Sequence, residues 1–165
     1  MSGSRAAALD LALYRFMRTT GHSPGAETAM RRFSALGEHA AVWLAIGGLG
    51  AALDSPRRRR WRRGAAGVAG AYVLNTAIKL AVRRRRPDVP GLPALTGTPT
   101  GLSFPSAHAT SSFAGARVYS ALLPAGPLYA LAAGLAASRV YLGVHYPSDS
   151  LAGAALGLLV GGAAR

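Results

Sequence analysis

Long apolar stretches closed off by clusters of arginine constrain this chain more than any other feature. Ala, Leu, Gly and Val fill the stretches. Arginine interrupts them at 57–63 (Arg57, Arg58, Arg59, Arg60, Arg62, Arg63) and again at 83–86. Half of the 165 residues are apolar, yet the mean hydropathy is only +0.23 because basic residues outnumber acidic ones 19 to 6. A net charge of +13 requires a polyanionic neighbour, either nucleic acid or the phosphate surface of a bilayer. The placement of the charge separates the two. Apolar segments with basic ends are the pattern of membrane spans, whereas nucleic-acid binders carry their charge along exposed faces. The expected partner is a bilayer with anionic lipids, and no nucleic acid.

A membrane-crossing helix needs about 20 mostly apolar residues. Five segments answer to that: 37–53, 64–82, 105–123, 125–143 and 147–164. The third carries Ser106, His108, Thr110, Ser111, Ser112 and Arg117, and the second carries Asn75 and Lys79. Polar groups at that depth are costly, so they are expected to face the bundle interior or a wet pocket. Asn75 lines a site or makes an interhelical hydrogen bond. Gly153, Gly157 and Gly161 lie four apart on one face of the last segment, a spacing that lets helix backbones approach closely. An Ala/Gly-rich composition produces the same spacing with no packing role. Residues 9–18 are amphipathic but too short and too charged to span. They lie in the interface with Leu9, Leu13 and Phe16 or Met17 in lipid, or pack on the bundle as a soluble helix would. The prolines and glycines of 87–104 exclude a helix there.

The expectation is therefore an all-α fold. It is an integral-membrane bundle of about five transmembrane helices plus a short N-terminal amphipathic helix, one domain over 1–165. The absence of cysteine excludes disulfides and thiolate metal sites. Met1–Asp10 lacks the pattern of a cleavable signal, so insertion is directed by the spans, into the cell membrane as a multi-pass protein. The pattern carries no cue to oligomeric state.

Three segments place chemistry-bearing residues where a membrane helix should avoid them: 79–87, 104–108 and 138–149. Pro105 suits the first position of a helix. The free N–H groups behind it and the positive dipole end make a phosphate site, to which Ser106 adds a hydroxyl. His108, in the first turn, is placed to protonate a leaving alkoxide. Arg139 and His145 are six apart, nearly two helical turns, on neighbouring parts of one face. Asp149 follows His145 by four, with Pro147 breaking the helix between them. A carboxylate that holds one imidazole nitrogen frees the other to attack phosphorus. Lys79, Arg86 and Arg139 then neutralise the equatorial oxygens, which is where phosphoryl transfer needs charge. Asp88 and Asp149 are too few and too far apart in sequence to hold magnesium, so neither metal nor cofactor is expected.

These segments resemble the three signature motifs of the type 2 phosphatidic acid phosphatase family, which vanadium haloperoxidases share. The family pattern is Lys, six residues, Arg-Pro; then Pro-Ser-Gly-His; then Ser-Arg, five residues, His, three residues, Asp. Here it reads Lys79 with Arg86-Pro87, Pro105-Ser106-Ala107-His108, and Ser138-Arg139 with His145 and Asp149. All spacings agree, and Ala107 replaces the usual glycine, at little cost where the local φ is negative. The resemblance implies His145 as nucleophile, His108 as acid and Asp149 as orienter, with Lys79, Arg86, Ser106, Ala107 and Arg139 cradling the phosphate. The implied reaction is hydrolysis of a lipid phosphate monoester or diphosphate through a phosphohistidine. Small size points to polyprenyl phosphates, with the 5-phosphate of decaprenylphosphoryl phosphoribose preferred. Undecaprenyl diphosphate, phosphatidylglycerophosphate and phosphatidate are the alternatives. A haloperoxidase, or a basic membrane protein with no catalysis, are the readings from other classes.

The remaining charged residues are expected to be ordinary. Arg83, Arg84 and Arg85 read as headgroup anchors, the 57–63 run as an anchoring loop, and His22 and His39 as structural or solvated. Five spans put the 57–63 run and the site on opposite sides, and the positive-inside rule turns the site outward.

Overall fold

The computed structural model describes residues 2–165, with side chains from residue 5 onward. Among the described residues the regular elements are all helical, and 83–106 form a long non-helical connection. The chain runs α1 (Ser2–Thr19), α2 (Pro24–Ala35), a 3₁₀ turn at Glu38–Ala40, α3 (Ala41–Leu53), a second 3₁₀ turn at Ser55–Arg57, α4 (Arg58–Val82), α5 (Ala107–Tyr119), α6 (Ala125–Tyr141) and α7 (Pro147–Ala163). Among the described residues the only β pairing is an isolated antiparallel bridge between Arg85 and Leu102.

Helices α6 and α7 match the expected segments closely, and Glu38–Ala40 with α3 matches 37–53; α4 begins earlier than 64, so that most of the arginine run expected as a loop is helical, and α5 is shorter than 105–123 at both ends. The two N-terminal helices differ more. Helix α1 is longer than the expected 9–18, and α2 was not anticipated. Its local signals are ordinary: the Ser23 hydroxyl accepts from Ala26 N–H at 3.2 Å, and Pro24 follows directly. Helix α5 also starts later than expected. Ser106 is its N-cap, so Pro105 lies outside the helix rather than at its first position.

Helix α5 is the axis of the bundle, packed against α4, α6 and α7. Its small and polar residues Ala109, Thr110, Ser111, Ser112, Ala114, Gly115 and Ala116 are all buried. The glycine stripe of α7 has a packing role. A Cβ on Gly153 would stand 2.6 Å from Ser106 O, and one on Gly161 2.8 Å from Ala114 O. Gly157 meets the Thr110 carbonyl between them. Backbone-to-backbone approach of this kind supplies dispersion contact where lipid offers no hydrophobic drive. Asn75 resolves as interhelical: its amide donates to Thr110 Oγ1 at 2.9 Å and to Pro105 O at 3.2 Å.

By length and composition, Ser55–Val82 can cross a bilayer alone, and Pro24–Ala35 with Glu38–Leu53 passes only as a pair bent by 46°. Helix α5, at 13 residues, is about 20 Å long. That is short of the roughly 30 Å hydrocarbon core. Its neighbours α4, α6 and α7 pack around it.

Helix α1 presents an inverted polarity. Asp10, Tyr14 and Arg18 are buried against the bundle, while Leu9, Leu13 and Phe16 are 60%, 44% and 64% exposed. Arg18 reaches across to the bundle, its terminal nitrogens donating to Pro93 O at 2.6 Å and to Tyr141 O at 3.2 Å. The packing alternative for this segment is thus met on one of its faces. One face packs on the bundle, and the other is apolar and open.

Candidate active site

The site forms where the C-terminal ends of α4 and α6 meet the N-terminal ends of α5 and α7. A cavity of about 320 Å³ opens there, lined by Lys79, Arg86, Ala107, His108, Arg139 and His145 together with rim residues including Glu38, His39 and Tyr72. Six of the eight residues singled out from sequence thus share one wall. The other two lie behind it. Ser106 is fully buried, its oxygen accepting from Ala109 N–H at 3.5 Å, and Asp149 is fully buried beneath His145.

Lys79 comes from the last turn of α4. Its ammonium donates to three carbonyls, Pro105 at 3.0 Å and Leu102 and Ser103 at 3.2 Å each. Those bonds fix a flexible side chain against the loop that leads into α5. Helix α4 then ends on Arg83, which adopts a left-handed φ of 56°. Beyond it the chain is extended and pairs with 101–103: Arg86 N–H donates to Gly101 O at 3.1 Å, and Ser103 N–H to Arg84 O at 2.8 Å. Extended backbone alternates its side chains. Arg84 and Arg86 turn inward together, and Arg83 and Arg85 are exposed. Arg84 is therefore not a headgroup anchor, as the sequence suggested. It bonds Asp149 from behind.

Arg86 donates to Val144 O at 2.6 Å, to Thr100 O at 2.8 Å and to His145 Nε2 at 3.1 Å. Its terminal nitrogen meets the imidazole at Nε2, so Nε2 acts as acceptor and the ring proton sits on Nδ1. Nδ1 lies 3.5 Å from Asp149 Oδ2. Burial pushes the His145 imidazole down to about 4, with Asp149 pulling it up and Arg86 and Lys79 pushing further down. It is neutral at neutral pH. Burial likewise lowers the Arg86 guanidinium to about 10, which leaves it charged.

The link between Arg139 and His145 differs from the sequence expectation. Helix α6 stops at Tyr141, so the two are not on one helical face. A tight turn joins them, with Gly143 at φ 79° and Val144 N–H donating back to Arg139 O at 3.1 Å. A side chain at Gly143 would strain this turn and strike Arg18, 2.7 Å from an added Cβ.

Helix α2 supplies what the sequence reading missed. Ser34 Oγ accepts from Arg139 Nη1 at 2.8 Å and from Ser138 Oγ at 3.0 Å. The Ser34 carbonyl lies 3.1 Å from His108 Nε2, which holds that nitrogen protonated and leaves Nδ1 on the other edge of the ring. Gly37 makes room for the ring, since a Cβ there would stand 2.7 Å from His108 Cδ2. The capping signal of α2 was readable, but nothing local marks Ser34 as a partner of residues about 70 and 100 positions away.

His39 is solvent-exposed, one of the two expectations for it. It lies at the cavity rim with φ 49°, 3.1 Å from the Tyr72 hydroxyl. His22 is structural, stacked at 4.0 Å on Tyr141 and 3.1 Å from Glu27. Ala107 takes the usual glycine position in ordinary helical geometry, without positive φ.

Comparison with known proteins follows the same lines. Residues 63–165 match the PAP2 superfamily. A decaprenylphosphoryl-5-phosphoribose phosphatase of Mycobacterium tuberculosis is 44% identical over 138 residues, 84% of this chain and 78% of that protein. The protein of the same name from Mycolicibacterium smegmatis is 43% identical over 132 residues, 79% of this chain and 72% of that protein. Two solved structures share the fold at 23% identity. A transmembrane PAP2-type phosphatidylglycerolphosphate phosphatase from Bacillus subtilis superposes with a TM-score of 0.79, over 97% of this chain and 84% of that one. LpxE of Aquifex aeolicus superposes at 0.75, over 94% of each.

Proposed function

This chain belongs to the PAP2 superfamily, a family of lipid phosphatases, and from that premise we propose that it removes the 5-phosphate from decaprenylphosphoryl-5-phosphoribose, or from a close polyprenyl relative, through a phosphohistidine. The supporting observation is the arrangement around His145. Its Nε2 is held toward the cavity by Arg86 at 3.1 Å, with Asp149 3.5 Å behind Nδ1.

The reaction runs in two displacements. As substrate enters, Arg86 Nη1 turns from His145 Nε2 to a phosphate oxygen, which frees the Nε2 lone pair, and Lys79 exchanges one of its three carbonyls for another phosphate oxygen; Arg139 and the first N–H groups of α5 at Ala107 complete the cradle. His145 Nε2 bonds to phosphorus as the bond to the ester oxygen breaks. The negative charge that develops on phosphorus oxygens is met by groups already in place. His108, protonated on Nδ1 while Nε2–H stays on the Ser34 carbonyl, gives its proton to the departing C5 alkoxide. Asp149 stabilises the cationic ring that results. Water then attacks the phosphohistidine, losing its proton to His108, and inorganic phosphate leaves. Charge stabilisation comes from the three cations and the helix N-terminus, with no metal step.

The membrane arrangement is proposed as five spans, formed by the bent α2–α3 pair and by α4 to α7, in one domain. Two observations support it. Leu49, Leu53, Val73, Leu80, Leu151 and Leu159 stand more than 60% exposed around the bundle, while Asn75, Lys79, Arg139 and Asp149 are buried within it. That is the polarity a lipid solvent selects. Helix α1 lies in the interface on its Leu9, Leu13 and Phe16 face. The site faces outward, away from the arginines that open α4.

The test is phosphate release in detergent with EDTA present, on a panel of polyprenyl and glycerol lipid phosphates. Wild-type release that survives EDTA and disappears in His145→Ala is the expected result. Release that persists in His145→Ala, or that needs added metal, overturns the mechanism.

A further inference from the structure

Asp149 has no exposure at all. A buried carboxylate is stable as an anion only when it is paired and hydrogen-bonded. Among the described residues, Arg84 is the only Lys or Arg within ion-pair distance of it, Nη1 donating to Oδ1 at 2.9 Å. The other oxygen, Oδ2, accepts from Tyr146 N–H at 2.8 Å and faces His145 Nδ1. Each oxygen is thus assigned, and the carboxylate cannot rotate without losing a bond.

Arg84 is itself held. Its Nη2 donates to Asp10 Oδ2 at 2.8 Å, its Nη1 also to Ser148 Oγ at 2.7 Å, and its guanidinium carbon sits 4.2 Å above the Tyr146 ring. Asp10 in turn accepts from Ser148 N–H at 2.9 Å and from Ser148 Oγ at 2.5 Å, at the start of α7. A negative side chain at a helix N-terminus is favourably placed there. The result is a chain of groups, Asp10–Arg84–Asp149–His145, that crosses from α1 to the site. Only a planar group with donors on two edges spans both carboxylates at once; an ammonium reaches one of them.

From this geometry we propose that Arg84 and Asp10 are positioning residues, a relay that holds the Asp149 carboxylate in the register His145 needs for attack. The proposal rests on the reading of His145 as nucleophile. Neither residue lines the cavity, so both act through Asp149 and not on substrate. Asp10 shares its buried face of α1 with Tyr14 and Arg18, opposite the open Leu9–Leu13–Phe16 face. The relay therefore ties the interfacial helix to the reacting centre.

The experiment compares Arg84→Gln, Arg84→Lys, Asp10→Asn and the neighbouring Arg85→Gln in the full chain. Each is measured on p-nitrophenyl phosphate and on decaprenylphosphoryl phosphoribose. Arg84→Gln is expected to lower kcat about 10–100-fold, the range typical of partners that orient a reacting group, with KM little changed. Arg84→Lys should recover part of that loss, Asp10→Asn should show a smaller one, and Arg85→Gln none. In an Asp149→Asn background Arg84→Gln should add nothing, because there is no carboxylate left to hold. If Arg84→Gln does not run as a single folded species on gel filtration, Asp10→Asn, which keeps the Arg84–Asp149 pair, carries the same comparison. An unchanged kcat, a loss confined to KM, or a full further loss in the Asp149→Asn background overturns the relay alone. A wild type that hydrolyses neither probe overturns the phosphatase reading and the relay with it.

Discussion

The two arginine runs of this chain have nearly the same composition and opposite fates. Arg58, Arg59, Arg60, Arg62 and Arg63 belong to the first turns of α4 and are exposed. Their bonds are local: Arg57 pairs with Asp54 at 2.6 Å, and Arg58 donates to Ala51 O at 3.0 Å. Arg83 to Arg86 lie just past the other end of the same helix, where Arg83 takes a left-handed turn and the backbone becomes extended. A helix spreads consecutive side chains around its whole circumference, while an extended segment sends alternate ones to one side. The second run is thereby sorted. Arg84 and Arg86 enter the protein, and Arg83 and Arg85 remain outside. Backbone period, not residue type, separates the arginines that stay outside from those that turn toward His145 and Asp149.

Substitutions can break or sharpen this contrast. The largest effect is expected at Arg86, which meets both His145 and the cavity. Arg86→Ala should lower kcat/KM about 10²–10³-fold, as removal of one preorganised charge-stabilising donor does, measured by phosphate release. A loss no greater than that of Arg85→Gln would end the distinction between inward and outward positions. A smaller effect is expected at the turn that does the sorting. Arg83→Gly removes the Cβ penalty of the left-handed conformation, of order 1–2 kcal/mol, against a glycine entropy cost of about 0.5–1. Thermal unfolding in detergent should show unchanged or slightly raised stability with full activity; a fall in stability would mean that Arg83 makes contacts of its own. The smallest effect is expected in the first run. Arg59→Cys should leave phosphate release unchanged, since surface changes of this kind alter stability within about 0.5 kcal/mol. In this cysteine-free chain the new thiol also reports sidedness. It should react with an impermeant maleimide only after cells are permeabilised, and reaction in intact cells would reverse the proposed orientation.

Much of this arrangement was legible in the sequence, for local reasons. The segments that became α4 to α7 were visible because apolar length and proline placement act residue by residue. Lys79, Arg86, Ala107, His108, Arg139 and His145 were found because their motif spacings are short-range. The Gly153–Gly157–Gly161 stripe was seen, although its partner surface on α5 was not. What failed was longer in range. Ser34 holds Arg139 and His108 from α2, and Asp10 reaches Arg84 from α1; neither contact leaves a trace in the spacing of either partner.

By itself, then, the sequence pointed to a helical bundle at a phosphate-bearing membrane, and it singled out a lysine, two arginines, two histidines and an aspartate that the fold brings together at one end of the bundle. Hydrophobic length, proline and motif spacing are properties of neighbouring residues, and they survive in a linear reading. Only the tertiary structure decided which arginines turn inward, that Arg139 and His145 meet across a turn and not along a helix, and that α1 and α2 hold the site from outside its motifs. Those outcomes depend on how a handful of backbone dihedrals, at Arg83 and Gly143 above all, aim side chains through space, and on contacts between segments that the chain itself keeps far apart.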